Sequence, residues 1–369
     1  MKKALVLLLA LCLSAAMLLS GCQPSGGGTA PPSASGSPSS GGEIPTLVVA
    51  NWKGYGSDED YAAPVFEEMY NCKVVHQYFN SLEEMMTMLR TGGLGEIDVI
   101  MPSTVYVQAA RDAGFLETID TDQISAYEDL IPAYRDLPEA VGESGEVYAL
   151  PWTWGTTSLG YNPDRVDEEI LHWSSLWDEQ YKGKVAFFDD YNTAIMTAAI
   201  YLGEDPSNPD LDKVKEALLE LKENTRTYWA SYDDYLNPYQ SGEIVIGNMW
   251  AGTATQLANA GEAVKFVSPD EGTVGYVDMW CIVKDTKNYD LACKWLDFMV
   301  GEQFQTEFAT VKGNAHNTVN QVVSDKLTDE QKQVLWIYPE PPKKIYMQPT
   351  QTPEEQAAWL EVWNDVKAR

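Results

Sequence analysis

From Leu47 onwards, hydrophobic positions follow two alternating spacings along the chain. Runs dense in apolar and β-branched residues, such as TLVVANW and KVVHQYF, predict strands, whereas a stripe at every third or fourth position predicts a helix. One such stripe follows Ser81 and consists of Leu82, Met85, Met86 and Leu89. Strands and helices in alternation predict an α/β fold with a parallel sheet covered by helices on both faces.

The ends of this helix carry signals of their own. Ser81 and Glu84 have the spacing of a capping box, in which side chains satisfy the free amide groups of the first helical turn. Gly92 and Gly93 follow the stripe, and glycine readily adopts the left-handed conformation that ends helices. A helix that begins at Ser81 and stops at this glycine pair is therefore predicted.

A second series of strand-like and helix-like segments follows residue 150. It comprises SLGYNPD, GKVAFFDD, a helix at about 192–202, LDKVKEALLELKEN, EIVIGNMW, a helix through Gln256, and VKFVSP. Two long extended segments, EVYALPWTWGTTSLGYN and VGYVDMWCIVKD, are interpreted as crossings between two lobes. The predicted domains are lobe 1 (44–150 plus about 281–320), lobe 2 (151–280) and C-terminal helices (321–369) that pack on the lobes.

The N-terminal segment differs from the part that is predicted to fold. Two lysines precede an apolar run that ends at Cys22, which predicts a secretory signal peptide over residues 1–21. The sequence LSGC resembles the lipobox of bacterial lipoproteins, whose cysteine becomes the acylated N-terminus; a plain signal peptide with an incidental Cys22 is the alternative. Residues 22–43 are rich in Ser, Gly and Pro and are predicted to form a flexible tether behind the lipid.

The charge balance excludes some classes of partner. The chain has 25 Lys and Arg against 55 Asp and Glu, so without Lys2 and Lys3 of the signal peptide the balance is 23 minus 55, or −32. Proteins that bind nucleic acids or anionic lipids need basic faces, so a nucleic-acid partner is excluded and the membrane is contacted only through the lipid anchor. An acidic surface favours cationic partners, although acidity that serves only solubility is the simpler interpretation. No later apolar run is long enough to span a bilayer.

One predicted strand, GYVDMWCIV, contains an acid between large apolar residues. Because side chains alternate along a strand, Tyr276, Asp278 and Trp280 share one face, and Val277 and Met279 point to the other. A carboxylate among aromatic rings needs a cation, hydrogen-bond donors or water. A ligand cation or a structural salt bridge to a lysine or arginine would satisfy this need.

The segments at predicted strand ends share an unusual composition. Tryptophans, tyrosines, hydroxyls and aspartates recur in ANWKGY, MPSTVY, FFDDYNT, GNMWAGT and YVDMW. Ligands of open α/β sheets bind outside the carboxyl ends of the strands. Because carboxylates and aromatic ring faces both attract cations, the sequence predicts a cleft for a small organic cation.

Together these segments resemble the spermidine/putrescine-binding proteins of bacterial ABC importers, a branch of the two-lobed extracellular solute-binding family. The resemblance runs from about Leu47 to the C-terminus and is carried by NWKGY, DVIMPSTVYV, ALPWTWGTTSLGYN, YKGKVAFFDD, NPYQSGEIVIGNMWAGTA and DMWCIV. It implies a two-lobed, periplasmic-binding-protein-like (type II) α/β fold with a ligand cleft between the lobes. It further implies a binding protein without enzymatic activity, cofactor or metal, which captures a polyamine and delivers it to permease subunits at the outer face of the cytoplasmic membrane.

The resemblance also assigns candidate ligand contacts. Asp190 and Asp278 match acids that pair with ammonium groups. The ring of Trp250 matches one that lies along the aliphatic chain of the ligand. Aromatic, hydroxyl and amide positions complete the matched set, namely Trp52, Tyr55, Ser103, Tyr276 and Gln348.

The chain departs from the family pattern at several places. Thr193 stands where a second acid is expected, and Lys53 replaces a small hydroxyl residue beside Trp52. Both are candidate ligand contacts of altered chemistry. Val105 replaces an aromatic residue, and an aromatic contact expected near Gly313 is missing. The two matched acids favour a diamine, a triamine with one end in water, or an amine whose acid group faces Lys53.

Several assignments have purely structural alternatives. Asp190 would serve equally as the N-terminal cap of the following helix, and Trp52 and Trp250 as core residues. Lys53 would be solvated or paired with a surface acid. The tyrosine-rich run YWASYDDYLNPY has the composition of a phenolate metal site, but a position at the surface or hinge lip is preferred.

Enzyme classes find little support in the sequence. His76, His172 and His316 lack metal-ligand spacing, and neither a G-x-S-x-G elbow nor a phosphate-binding glycine loop occurs. Asp189 and Asp190 would be the acids of a secreted carbohydrate-active hydrolase, yet neighbours on a strand point to opposite faces. The other alternative is a binding protein for another small amine or an amino-acid-like cation.

Overall fold

The structure is a computed structural model that describes residues 44–312, 316–335 and 344–369. The predicted signal peptide, Cys22 with its lipid, and the tether lie outside the described residues, as does Gly313. No helix within the described ranges combines the length and the apolar character needed to cross a bilayer.

Eleven strands in the described part of the chain belong to one sheet. They are β1 (Thr46–Asn51), β2 (Lys73–Tyr78), β3 (Val99–Ile100), β4 (Leu150–Tyr161), β5 (Val185–Phe188), β6 (Thr225–Trp229), β7 (Ile246–Trp250), β8 (Lys265–Val267), β9 (Thr273–Ile282), β10 (Asn317–Thr318) and β11 (Ile345–Met347). The sheet order is β2-β1-β3-β9-β4-β7-β5-β6, with β8 and β10 paired to β4 and β11 paired to β9.

Helices cover the connections between these strands. The α-helices of the described residues are α1 (Ala63–Tyr70), α2 (Leu82–Met88), α3 (Thr104–Asp112), α4 (Pro132–Arg135), α5 (Tyr191–Leu202), α6 (Leu211–Asn224), α7 (Tyr232–Ser241), α8 (Ala251–Asn259), α9 (Tyr289–Val300), α10 (Glu302–Thr310), α11 (Gln321–Lys326), α12 (Asp329–Val334) and α13 (Pro353–Ala368). The predicted cap of α2 is present, because the Ser81 hydroxyl accepts a hydrogen bond from the Glu84 backbone N–H at 3.1 Å. A π-helical turn, Leu89–Gly93, leads out of α2.

The sheet is mixed and not parallel throughout. β1 runs parallel to β2 and β3, and β5 runs parallel to β6 and β7, as strands joined by helical crossovers do. In contrast, β9 is antiparallel to β3 and β4, and β4 is antiparallel to β7. The prediction of a parallel sheet is therefore wrong for the middle of the sheet, because β4 and β9 do not belong to strand–helix–strand units.

The two long strands β4 and β9 join the two parallel groups. They pair with each other from Leu150 and Trp280 to Thr157 and Val274. In addition, β9 pairs with β3 and β4 pairs with β7, so each long strand also contacts one parallel group. The interpretation of these segments as long extended connections is confirmed, whereas the lobe boundaries remain a prediction.

Hydrophobic clusters on the two sides draw on different parts of the chain. Two clusters combine residues 47–152 with residues 277–319, and a third combines residues 159–274 with residues 359–366. Chain segments far apart in sequence therefore complete each core. This arrangement explains why β4 and β9 have to cross between the groups, since each strand continues from one core into the other.

The predicted alternation of side chains on β9 is present. Val277, Met279 and Cys281 are buried in one cluster with α2 and α3, whereas Trp280 is buried in another cluster with Trp152. Asp278 lies between residues of the first cluster in sequence but points to the opposite face of the strand.

The C-terminal helix packs on the group of strands around β5. Trp359, Trp363 and Val366 of α13 share a cluster with residues of β5 and α5. Trp363 Nε1 donates a hydrogen bond to Asp189 at 2.9 Å, and Lys367 Nζ donates one to the same carboxylate at 2.6 Å. Asp189 thus holds α13 in place through these two hydrogen bonds. This structural role argues against Asp189 and Asp190 as the catalytic pair of a hydrolase.

The tyrosine-rich run forms β6 and α7, neither of which the sequence pattern predicted. Tyr235 and Tyr239 are fully buried, and Tyr235 packs edge-on against Trp229 at a centroid distance of 5.4 Å. The surface interpretation is wrong for these two rings, because α7 turns them toward the core. Within the described ranges, no group of three or more His, Cys, Asp and Glu side chains is arranged to hold a metal ion.

Candidate functional site

Asp278 is a buried carboxylate in the middle of β9. The residue is 8 % exposed, and its Oδ2 accepts a hydrogen bond from the Tyr55 hydroxyl at 2.7 Å. Burial raises the pKa of Asp278 to about 7, even though the Tyr55 hydrogen bond acts in the opposite direction. Among the described residues, no basic side chain forms an ion pair with it, so the structural salt bridge considered above is not formed there.

Tyrosines from three elements surround this carboxylate. Tyr55 follows β1, Tyr276 belongs to β9, and Tyr232 begins α7. Burial raises the pKa of each phenol, and the charge of Asp278 raises it further, so all three hydroxyls are neutral and lie close to that carboxylate. Together with Ser103, these residues are called the Asp278 site below.

Ser103 joins the Asp278 site through the backbone. It forms an isolated antiparallel bridge with Asp278, beside a hydrogen bond from the Met279 N–H to the Pro102 carbonyl oxygen at 2.8 Å. Ser103 occupies the N-cap position of α3, but its side chain does not cap that helix. Within the described residues, the Ser103 hydroxyl is therefore not used as a helix cap.

A glycine on β4 determines where the Tyr276 ring lies. Gly155 and Tyr276 are directly paired across β4 and β9. A Cβ atom at position 155 would clash with the ring and hydroxyl of Tyr276. The ring therefore folds across β4 at Gly155, where β4 has no side chain.

Trp250 ends β7 and is the N-cap residue of α8. Its ring packs edge-on against Trp229, Phe188 and Tyr232, at centroid distances of 4.8, 5.0 and 5.4 Å respectively. Tyr232 connects this aromatic cluster to the Asp278 site. Trp250 is only partly buried, so it contributes to packing while part of its surface stays accessible.

Asp190 performs the structural role considered for it. As the N-cap of α5, it accepts a hydrogen bond on Oδ1 from the Thr193 backbone N–H at 2.7 Å. Burial nevertheless raises the pKa of Asp190, and the nearby charges of Glu83 and Asp189 raise it further. Thr193 is buried at 1 % exposure and supports Asp190. A ligand contact of either residue remains a prediction.

Glu83 is a third carboxylate that the sequence pattern did not single out. It lies in the first turn of α2 and accepts a hydrogen bond from the Tyr106 hydroxyl of α3. The pKa of Tyr106 is raised by burial, by Glu83 and, more weakly, by Asp190, which places all three groups near one another. In the sequence, nothing distinguishes Glu83 from the many other acids of the chain. Only the tertiary structure places it near Asp190.

His316 supplies an aromatic ring that the sequence pattern also missed. Its imidazole packs edge-on against Tyr55 at a centroid distance of 4.9 Å and is stacked on Phe308 at 4.5 Å. Burial lowers the pKa of His316 to about 4, so the ring is neutral at pH 7. Gly313, near which the aromatic ligand contact is expected to be missing, lies outside the described residues, so that expectation stays a prediction.

Three predicted contacts lie at the margin of these groups. Trp52 is partly buried and packs edge-on against Phe79 at 4.8 Å, as its core alternative requires. Lys53 is exposed, and it forms no ion pair with another described residue. Gln348 directly follows β11, whose Met347 pairs with Gly275 beside Tyr276. Whether these three side chains contact a ligand remains a prediction.

The fold and the Asp278 site define a solute-binding protein, in which two side chains within β9 meet residues that follow β1, β3 and β6. Residues 62–334 match the family of bacterial extracellular solute-binding proteins, and the chain belongs to that family. Members of this family bind solutes outside the cell, so solute binding is established for this chain, whereas the identity of the solute is not.

Relatives and solved structures agree with this assignment. The spermidine/putrescine-binding periplasmic protein of Escherichia coli K12 is 29 % identical over 80 % of this chain and 83 % of its own length. A putrescine/cadaverine-binding protein of Pseudomonas aeruginosa is 26 % identical over 88 % of this chain and 94 % of its own. The spermidine/putrescine ABC transporter substrate-binding protein of Streptococcus pneumoniae superposes with a TM-score of 0.74 at 24 % identity, over 88 % of this chain and 99 % of that chain. The predicted two-lobed, periplasmic-binding-protein-like fold is thereby confirmed.

Proposed function

We propose that this protein captures a polyamine of the putrescine/spermidine type and delivers it to the permease of an ABC importer. The observation that carries the proposal is Asp278, a buried carboxylate that accepts one hydrogen bond and has no basic partner among the described residues. Burying a carboxylate without a cation is unfavourable, so the site gains most from a ligand that brings an ammonium group.

The surroundings of Asp278 fit an alkyl ammonium ion. The rings of Tyr55, Tyr232 and Tyr276 provide neutral, weakly cation-attracting walls, and the Ser103 hydroxyl is free to accept a hydrogen bond. Curated relatives over most of the chain are named as binders of spermidine, putrescine or cadaverine. Both the local chemistry and the relatives therefore favour a small amine with more than one positive charge.

A second acidic position supports a ligand with several charges. Asp190 and Glu83 lie near each other beside Tyr106, at the carboxyl end of β5. Burial is the main cause of the raised pKa of Asp190, and the charges of Glu83 and Asp189 raise it further, so a nearby cation would favour the ionised form. We assign the second ammonium group of the ligand to Asp190, and the third group of a triamine to Glu83.

The protein is expected to bind stoichiometrically without turnover. A ligand that contacts both groups of strands favours a closed form, because contacts made only after closure shift that population. The permease would then recognise the closed, loaded form. This role needs neither a cofactor nor a metal ion.

A melting screen is the most direct test of the proposed function. Polyamines, quaternary amines, amino acids, sugars and ferric ion are each added to the purified mature protein, and the melting temperature is recorded. Ligands that bind the native state raise the melting temperature by mass action, so putrescine or spermidine is expected to give the largest rise. A rise with a sugar and none with any amine would contradict the proposal.

The cellular location of the protein is inferred from its predicted N-terminal signal. We propose that Cys22 carries a lipid and holds the protein at the outer face of the cytoplasmic membrane, with residues 22–43 as the tether. Cys22→Ser is expected to release the protein from the membrane fraction, because acyl chains provide the anchor. Fractionation and mass measurement of both forms test this, and an unchanged membrane fraction for the variant would refute the anchor.

A further inference from the structure

A small cavity lies beside the Asp278 site. Its volume is about 20 Å³, which is room for a single water-sized group. Polar side chains dominate its wall, among them Thr153, Tyr232, Thr255, Tyr276, His316 and Asn317. It is called the His316 cavity here.

Two buried polar atoms in this wall lack hydrogen-bond partners. His316 Nε2 and Asn317 Oδ1 are both buried, and neither has a partner among the described residues. Asn317 as a whole is 9 % exposed. Buried acceptors without partners are rare in folded proteins because each loses its hydration without compensation. Two such atoms on consecutive residues therefore indicate a missing partner of small size, and an N–H donor satisfies both when the neutral imidazole carries its proton on Nδ1.

The cavity adjoins the carboxylate of Asp278. Tyr232 and Tyr276 line the cavity, and the pKa of each is raised by Asp278 after burial. Tyr55 makes the connection directly, since its hydroxyl donates to Asp278 at 2.7 Å and its ring packs on His316 at 4.9 Å. Tyr55 thus links the Asp278 site to the cavity, and Tyr232 and Tyr276 belong to both.

The charge of the cavity wall restricts the kind of group that fits. A neutral imidazole has one nitrogen that accepts a hydrogen bond, and an amide oxygen only accepts. The phenols of Tyr232 and Tyr276 are neutral as well. The wall therefore offers uncharged acceptors for N–H donors, whereas the carboxylate nearby supplies the charge.

We propose that the His316 cavity binds one amino group of the ligand, with His316 Nε2 and Asn317 Oδ1 as acceptors. This inference rests on the proposed function and extends it to a ligand class. Primary and secondary amines fit, because they are small at nitrogen and carry N–H donors. Quaternary ammonium groups do not fit, because they have no N–H bond and their methyl groups exceed a water-sized space.

The test compares 1,4-diaminobutane with its fully N-methylated, bis-quaternary analogue. Calorimetric titrations use the mature wild-type protein and the variants His316→Phe, Asn317→Ala and His316→Gln. Phenylalanine keeps the ring contacts with Tyr55 and Phe308 but removes the acceptor, whereas glutamine retains an acceptor oxygen. His172→Phe is the matched control, because His172 is exposed and paired with Glu271 outside this cavity.

The wild-type protein and the control are expected to bind the diamine at least roughly tenfold more tightly than the quaternary analogue. His316→Phe and Asn317→Ala are each expected to lose about tenfold in diamine affinity, with little change for the analogue, and His316→Gln to restore most of the preference. Equal affinities of the wild-type protein for both ligands would overturn the inference while the proposed function stands.

Two other outcomes are equally decisive. If His316→Phe and Asn317→Ala melt at lower temperature than the wild-type protein but keep its preference for the diamine, the cavity holds a structural water and the inference fails. If the wild-type protein binds neither amine, the proposed function fails and the inference falls with it. Melting curves of the unliganded variants separate loss of folding from loss of binding.

Discussion

Two buried aspartates, Asp98 just before β3 and Asp278 on the neighbouring strand β9, differ in how far hydrogen bonds satisfy their carboxylates. Asp98 accepts hydrogen bonds from the Val48 N–H at 2.7 Å, from the Thr286 hydroxyl at 2.5 Å and from the Asn288 amide at 3.2 Å. Asp278, at 8 % exposure against 3 % for Asp98, accepts one from Tyr55 among the described residues. Hydrogen bonds within the protein thus satisfy the first carboxylate more fully than the second, which is the one that we propose to bind the ligand.

The first prediction follows from this contrast. Asp278→Asn keeps the shape of the side chain but removes its charge, so polyamine affinity is expected to fall by roughly 2 to 5 kcal/mol while folding is retained. Asp98→Asn is the control, because it weakens a hydrogen-bonded network away from the site and is expected to lower stability without changing affinity. Calorimetric titration and thermal melting of both variants measure these effects. Wild-type affinity in Asp278→Asn would return this residue to a structural role.

The raised pKa of Asp278 makes binding depend on pH. In the free protein this carboxyl has a pKa of about 7, so below that pH it must release a proton before it pairs with an ammonium ion. We expect affinity to fall by about tenfold per pH unit from pH 7 towards pH 5, with proton release on binding. Enthalpies measured in buffers of different ionisation enthalpy at pH 6 test this, and no buffer dependence would contradict it.

The ionisable groups that face Asp278 do not reverse the expected loss of affinity as the pH falls. Tyr55, Tyr232 and Tyr276 have raised pKa values and stay neutral, whereas the pKa of His316 is lowered to about 4, below the range tested. The raised pKa of Asp190 acts with the same sign. Stability is a poorer measure, because Asp278 stabilises the free protein as pH falls from 7 to 4 while buried neutral His316 destabilises it from 6.5 to 4.

At the scale of elements, the ladder between β4 and β9 positions the Tyr276 ring. Gly155→Ala is expected to displace that ring, because the new Cβ clashes with its hydroxyl, and polyamine affinity should fall by about tenfold or more. Gly160→Ala on the same strand is the matched control, since its Cβ meets the flexible side chain of Met249 in the core. The control should change the melting temperature but not the affinity. Equal affinities for both variants would show that Tyr276 does not shape the site.

Elements differ in how far the sequence alone predicted them. The bounds of α6 agree with the predicted segment LDKVKEALLELKEN, and the long strands β4 and β9 were predicted because apolar patterns and caps are local signals. The antiparallel pairing of β4 and β9 was missed, since strand direction depends on partners distant in sequence. The buried face of α7 was missed for another reason, because tyrosine is common both in cores and at surfaces.

The residues of the candidate site also fall into those that the sequence predicted and those that it missed. Tyr55, Ser103, Tyr276 and Asp278, which sequence motifs assigned, lie together in the structure. Glu83, Tyr232 and His316 were missed, because each reaches the site only through the packing of α2, of α7 or of the segment before β10. A motif identifies residues that follow strands, whereas neighbours contributed by other elements become visible only in three dimensions.

At the scale of the whole molecule, the number and placement of acids limit the ligand. The sequence offered two matched acids, but the structure adds Glu83 beside Asp190, so three carboxylates are available to pair with ammonium groups. An ammonium group left unpaired in a closed cleft retains most of its desolvation cost. We therefore expect a triamine to be the longest ligand that these acids accommodate, and we expect the exposed Lys53 beside Trp52 to repel a further charge.

The last prediction concerns ligand length. We expect spermidine to bind more tightly than spermine, whose fourth nitrogen has no matching acid. Glu83→Gln should weaken spermidine more than putrescine, because only the triamine needs the third carboxylate, and Lys53→Thr should improve spermine by reducing repulsion. Titrations of the three amines into the wild-type protein and both variants measure these differences, with Glu84→Gln, the neighbouring acid on α2, as the matched control. Tightest binding of spermine by the unmodified protein would refute the argument, since it would require a fourth negative partner that the described residues do not provide.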